Sequence, residues 1–173
     1  KTMKPIYSSI SLLLLTLLVS SGSTAQSEFP IFEGPYMGQT PPGKTAEVFA
    51  PGVISTDGWE LEAVFAPSMK EFYFVTDNKE GRPTIYGFRF DDNKWHKFMD
   101  VPRTGEPFIT ADGHTMHLAK GYRERTASGW SDVKSLGPMF EREDWGIMRL
   151  TASNEGTYVF DDYKSNGVIR GSK

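Results

Sequence analysis

Apolar and polar residues alternate along short runs through most of this chain, and turn-forming residues separate the runs. The alternation is clearest in PTIYGFRF at 83–90, and comparable runs lie at 59–66, 71–76 and 94–101. A period of two puts every second side chain on one face of a strand, whereas a helix needs apolar residues three and four positions apart. No stretch after the N-terminal region has that helical spacing. The pattern therefore predicts an all-β chain of short antiparallel strands, the first of them at 45–50.

Three segments of similar pattern, FAPSMKEFYFV, ITADGHTMHLA and LTASNEGTYVF, each place a turn before an alternating strand. Aligning Pro67, Ala111 and Ala152 gives spacings of 44 and 41 residues. A period of roughly 40–45 residues with four strands in each unit is typical of β-propeller blades. Sheets are accordingly expected near 59–98 and 105–136, with a partial third from 145. Only the second copy has Asp-Gly in its turn, so the turn types of the other two stay open.

These segments resemble the core of the TolB-like, WD40-like β-propeller repeat, and GPYMGQTPPGKTAEVFAPGVISTDGWE is similar to the front of exported bacterial proteins built from such repeats. The resemblance covers residues 36–173. It implies a propeller fold for residues 47–173 and a role as a protein- or peptide-binding scaffold in the bacterial envelope. The alternative is the propeller part of a hydrolase or lyase, acting on polysaccharide or belonging to a peptidase whose catalytic domain follows.

The repeat region contains about two and a half four-stranded blades, fewer than the roughly four that the smallest propellers need. We therefore expect this sequence to be the N-terminal part of a longer protein whose downstream blades are missing. Blades bury their faces only against neighbouring blades. Apolar residues at both ends of the array are then expected to be exposed, namely Phe65, Phe72, Phe74, Val159 and Phe160.

The N-terminus predicts export. Lys4 precedes the apolar run Leu12–Val19, and small residues end at Ala25, which together make a secretory signal peptide over 1–25. The apolar run is shorter than the ~20 residues of a spanning helix, so no membrane span is expected after cleavage. The expected location is the periplasm or the exterior of a bacterium. Residues 26–46, with four Pro and three Gly, predict an extended lead-in on the domain surface.

Charge distribution and the lack of Cys reduce the number of possible functions. The net charge of −3 is mixed along the chain without a basic stripe, which gives no support for nucleic-acid binding, and the absence of Cys excludes disulfides and thiol catalysis. Acidic residues recur where the predicted blades begin. We expect these carboxylates to line one mouth of a channel, suited to a cation, an amine or a basic peptide, or to form a solvated rim. The candidate rim residues are Asp57, Glu60, Glu106, Glu143 and Asp144.

No catalytic motif, metal site or cofactor site is predicted. His114 and His117 are three residues apart and would point to opposite faces of a strand, so the two imidazoles would not share a metal ion. The sequence has no G-x-S-x-G elbow, no phosphate-binding Gly loop and no zinc spacing. Packing between blades is favoured over a stacking platform for five aromatic residues, Trp59, Tyr73, Tyr86, Trp130 and Trp145.

Overall fold

A computed structural model describes residues 29–172, and the predicted signal peptide at 1–25 lies outside them. The strands of the first sheet are β1 (Phe32–Glu33), β2 (Glu60–Phe65), β3 (Glu71–Asp77), β4 (Pro83–Asp91) and β5 (Lys94–Pro102). Their spatial order is β1-β5-β4-β3-β2, and every pairing is antiparallel. Strands β2 to β5 follow one another as a meander, as their alternation predicted.

Two further antiparallel sheets follow along the chain. The second contains β6 (Pro107–Ile109), β7 (Thr115–Leu118), β8 (Gly121–Thr126), β9 (Gly129–Trp130) and β10 (Lys134–Ser135). The third contains β11 (Leu150–Ala152), β12 (Tyr158–Asp162) and β13 (Val168–Ser172). Within residues 29–172 the helical segments are the short 3-10 turns Pro35–Gly38 and Tyr163–Ser165. For residues 29–172, the prediction of an all-β fold made of antiparallel sheets is confirmed.

One turn geometry recurs in the hairpins β2–β3, β6–β7 and β11–β12, one in each sheet. The amides of Met69, Gly113 and Gly156 donate to the carbonyls three residues earlier, at 2.8, 2.8 and 3.1 Å, and all three residues have positive φ. Those carbonyls belong to Ala66, Thr110 and Ser153, which are 44 and 43 residues apart. The alignment on Ala152 was therefore offset in the third copy. Met69 shows that the turn forms even where Asp-Gly is absent.

The sheets stack face to face in chain order, and we call the face of each sheet that points to the next one its forward face. In antiparallel pairs, directly opposed residues share a face. Tyr73 and Val75 of β3 are fully buried on the forward face of the first sheet, against Met116 and Leu118 of β7. Gly87 leaves room for the Tyr73 ring, because a Cβ atom there would lie 2.9 Å from it.

The second and third sheets repeat this arrangement. Ala119, just after β7, is buried in one cluster with Leu150 and Phe160 of the third sheet, and the His117 and Tyr158 rings meet edge to face at 5.6 Å. The first strands also adjoin: β2 contacts β6, and Glu106 forms a parallel bridge with Arg149 directly before β11.

The predicted lead-in of 26–46 belongs to a longer N-terminal segment, 29–55, which covers the backward face of the first sheet and which we call the lead-in from here on. Its residues Met37, Ala50 and Ile54 are 2–4% exposed and pack with Phe72 and Phe74. The strand predicted at 45–50 is wrong, since that stretch turns across the sheet with only an isolated bridge from Pro51 to Ser55.

The expected exposure of both array ends is also partly wrong. Phe72 and Phe74 are 2% and 1% exposed, and Phe65 packs against the same cluster, because the lead-in occupies the place of a preceding sheet. At the other end Phe160 points backward and is 2% exposed, whereas Val159 is 43% exposed. One face of the stack is therefore open.

Candidate functional site

A polar cluster lies between the first two sheets, centred on the carboxylate of Glu71 at the start of β3. Arg125 of β8 donates two hydrogen bonds to it, at 3.1 and 2.7 Å, and Arg89 of β4 donates a third at 3.0 Å. The Tyr73 hydroxyl donates to the same carboxylate at 2.6 Å and accepts a hydrogen bond from Trp130 Nε1 at 2.9 Å. Five side chains from four strands are thereby joined across the interface.

Electrostatics keep this cluster in one protonation state near neutral pH. Burial, the largest influence, raises the pKa of Glu71, but hydrogen bonds from Arg125, Tyr73 and Arg89 outweigh it and leave the pKa below its usual value. Burial and the bond to Glu71 raise the pKa of Tyr73. The guanidinium of Arg125 lies 3.8 Å from the centre of the Trp130 ring. A charged carboxylate held by two arginines is equipped to clamp the sheets together and has no free lone pair poised for proton transfer.

A second series of ion pairs lies beside β2, β6 and β11, one strand from each sheet. Arg103 donates to both carboxylate oxygens of Glu62 and lies 3.8 Å from Glu106, which pairs with Arg149 at 2.7 Å. Glu62 occupies a bulge in β2 with φ of 61° and its side chain is 3% exposed. The pKa of Glu62 is raised above its ordinary value. Burial is the largest cause and the nearby Glu106 carboxylate adds to it, whereas the Arg103 guanidinium lowers the pKa.

The five predicted rim residues occupy different surroundings. Glu106 belongs to the series of ion pairs just described, and Asp144 pairs with Arg142 at 2.6 Å on the surface. Glu60 accepts a hydrogen bond from Thr56, while Asp57 and Glu143 are exposed. Within the part of the chain that the structure describes, no group of three or more His, Asp or Glu side chains is placed to hold a metal ion.

The two histidines of the H-x-x-H pair differ in solvent exposure. His114 is exposed in the hairpin turn, whereas His117 is 4% exposed among the rings of Phe108, Tyr122 and Tyr158. Its Nδ1 atom is buried without a hydrogen-bond partner, and burial lowers its pKa. The buried aromatic residues serve packing: Tyr73 and Tyr86 lie in clusters between layers, whereas Trp59 is 44% exposed.

A cleft of about 460 Å³ lies between the first two hairpin turns and has Glu71 and Arg125 in its lining. The cleft is open, and both of these charged side chains are already bound to each other. Sequence analysis missed the Glu71 cluster, because its partners are up to 54 residues apart and no local motif joins them.

The remaining surface feature is the forward face of the third sheet, which we call the open face. Val159 is 43% and Ile169 67% exposed there, and Thr151 lies opposite Val159 on β11. In the repeat, Val159 occupies the position of Tyr73 and His117, which are 0% and 4% exposed under the next sheet. Within residues 29–172, no further sheet covers this position, as one does in the first two sheets.

The fold and these clusters define an all-β protein of stacked antiparallel sheets that are clamped by arginine–carboxylate pairs. Comparison of the chain with protein-family models, curated proteins and solved structures finds no match. No helix within residues 29–172 is long and apolar enough to cross a membrane.

Proposed function

We propose that this chain is an exported β-repeat module of the TolB-like propeller type, which binds a protein or peptide partner in the bacterial envelope. The observation that carries the proposal is the open face. Val159 is 43% exposed, although its counterparts Tyr73 and His117 are buried beneath the following sheet. Apolar side chains grouped on an exposed sheet face are typical of an interaction surface.

The chemistry of the partner follows from the two covered interfaces. Each of the two covered forward faces receives alternating apolar residues of another sheet, Met116 and Leu118 in one case and Tyr158 and Phe160 in the other. The partner is therefore expected to present an extended apolar strand or sheet face. The exported location rests on the signal peptide at 1–25, and the propeller type rests on the recurrent turn at spacings of 44 and 43 residues.

The hydrolase or lyase alternative gains no support from the three buried carboxylates that are paired with arginine. Glu71, Glu62 and Asp162 are each buried and bound to arginine. Glycoside hydrolysis needs one carboxyl group that donates a proton and another that stays free to attack or to activate water. Carboxylates that are held by guanidinium groups are poorly suited to either task.

Site-specific cross-linking tests the proposal. A photoreactive phenylalanine analogue is placed at Val159 of the chain expressed in its native compartment, with Val48, 64% exposed on the lead-in, as the matched control site. We expect an adduct to one defined protein at Val159, none at Val48, and loss of the adduct when Ile169→Glu is added. An adduct confined to the same polypeptide, or equal labelling from both sites, would overturn binding of a partner at this face.

A further inference from the structure

The face beneath the lead-in has the character of a docking surface. Four aromatic rings, those of Phe72, Phe74, Tyr86 and Phe88, lie side by side on the backward face of the first sheet. The second and third sheets present the same kind of face, and in each of them a preceding sheet covers it. In the first sheet the lead-in takes that position instead.

The lead-in makes fewer strand-pairing hydrogen bonds to the first sheet than the strands of that sheet make to one another. Its strand pairing is limited to the two residues of β1 against β5, supported by the Trp95 indole, which donates to the Gly34 carbonyl at 2.9 Å. Three of its non-glycine residues, Tyr36, Met37 and Ala50, have φ between 42° and 53°. Left-handed backbone costs roughly 1 kcal/mol or more for each such residue. The packing of Met37, Ala50 and Ile54 against the aromatic rings of the first sheet, which we call the apolar seat of the lead-in, must offset that cost.

We propose that the lead-in is an intramolecular cap, which prevents the open face of a second copy of this chain from docking on the backward face of the first sheet. The interface between copies would repeat the interfaces between consecutive sheets within one copy. A forward face would meet a backward face, as Tyr73 meets Met116. The open face supplies Val159, Ile169 and Thr151, and the uncovered first sheet supplies its aromatic rings.

The geometry of such a contact makes a cap necessary. Forward-to-backward contact is heterologous, so each added copy exposes a fresh open face and assembly does not stop at two copies unless a ring closes. A seated lead-in removes one of the two complementary faces from every copy. The open face of a capped chain then finds no complementary backward face on a second copy.

Point variants of the full chain test the cap. Met37→Asp places a charge in the apolar seat of the lead-in, and Val48→Asp places the same charge at an exposed position of the same segment. By sedimentation velocity we expect the wild type and Val48→Asp to be monomers and Met37→Asp to form species of three or more copies. Adding Ile169→Glu on the open face is expected to return Met37→Asp to the monomer.

Other outcomes overturn the cap. Oligomers of Met37→Asp that persist with Ile169→Glu would show non-specific association of apolar surface. A monomeric Met37→Asp that keeps its β-sheet circular dichroism would show that the covered face does not dock.

If Met37→Asp loses that circular dichroism signal, Gln39→Ala takes its place. Gln39 only joins two parts of the lead-in, accepting from the Ala50 amide at 2.6 Å and donating to the Val48 carbonyl at 3.2 Å. Gln39→Ala must then form the oligomers that Ile169→Glu removes, or the proposal is wrong. Partner binding at Val159 does not depend on this result, since cross-linking is measured on the capped chain.

Discussion

The carboxylate of Glu71 on the first sheet accepts two hydrogen bonds from the guanidinium of Arg125 on the second sheet, at 3.1 and 2.7 Å. The side chains are 10% and 23% exposed, so the pair lies mostly out of water. Removing one member of a buried pair leaves the other charge without compensation, which typically costs 3–5 kcal/mol. Glu71 accepts three hydrogen bonds from arginine, two from Arg125 of the second sheet and one from Arg89 of the first. Removing the Glu71 carboxylate therefore leaves an arginine without its partner on each sheet.

We expect Glu71→Ala to lower the free energy of unfolding by about 3 kcal/mol, as measured by urea denaturation. Glu80→Ala is the matched control, because the Glu80–Arg82 pair also joins a carboxylate to a guanidinium but is 65% and 73% exposed. Exposed pairs contribute roughly 0–1 kcal/mol. Equal losses in the two variants would show that Glu71 does not clamp the sheets.

The first hairpin turn offers a stabilising substitution. Met69 has φ of 58° where the other two copies have Gly113 and Gly156, and its side chain is 51% exposed. Met69→Gly removes backbone strain but makes the unfolded chain more flexible, so we expect a net gain of about 0.5 kcal/mol. Gly113→Ala, with φ of 74°, is expected to lose about 1 kcal/mol. Chemical denaturation of both variants measures the difference, and a loss from Met69→Gly would contradict the turn geometry.

His117 predicts a dependence of stability on pH. Burial lowers its pKa below the ordinary 6.5, so between the two values the unfolded chain binds more protons than the folded one. The free energy of unfolding should therefore fall as pH drops below about 7, by at most about 1.4 kcal/mol per pH unit from this group.

The matched variants for this pH dependence are His117→Phe and His114→Gln. Phenylalanine fits among the rings of Phe108, Tyr122 and Tyr158 and cannot titrate, so it should remove this contribution to the acid slope. His114 is exposed in the turn, and its replacement should keep the wild-type slope. Thermal melts from pH 8 to 5 compare the three proteins, and identical slopes would show that the pKa of His117 is not lowered in the fold.

The candidate rim residues should separate into structural and surface groups. Glu106 is 16% exposed and pairs with Arg149 and Arg103, so Glu106→Ala is expected to cost about 2 kcal/mol of unfolding free energy. The exposed Asp57 and Glu143 should tolerate alanine within roughly 0.5 kcal/mol. Urea denaturation of the three single variants measures this, and similar losses at all three positions would contradict the assignment of Glu106 to the series of ion pairs.

The sequence by itself determined strands β2 to β5 and the presence of a recurrent turn, because both depend on local properties. Alternation with a period of two marked β3, β4 and β5 within a few residues of their observed bounds. The recurrent turn was visible as well, although its offset in the third copy was not. Ser153 rather than Ala152 starts that turn, and the residues between Ser153 and Thr157 number one fewer than in the other two hairpins.

Tertiary structure decided which faces are covered and which charges meet. The lead-in has no sustained period, so nothing local predicted that Met37, Ala50 and Ile54 would complete a core over Phe72 and Phe74. Glu71 and Arg125 are 54 residues apart, and only the stacking of two sheets brings them together. Val159 and Phe160 are neighbours in sequence, yet the pleat turns one to the open face and the other into the core. Side-chain pattern fixes a strand, whereas burial depends on what the rest of the chain places against it.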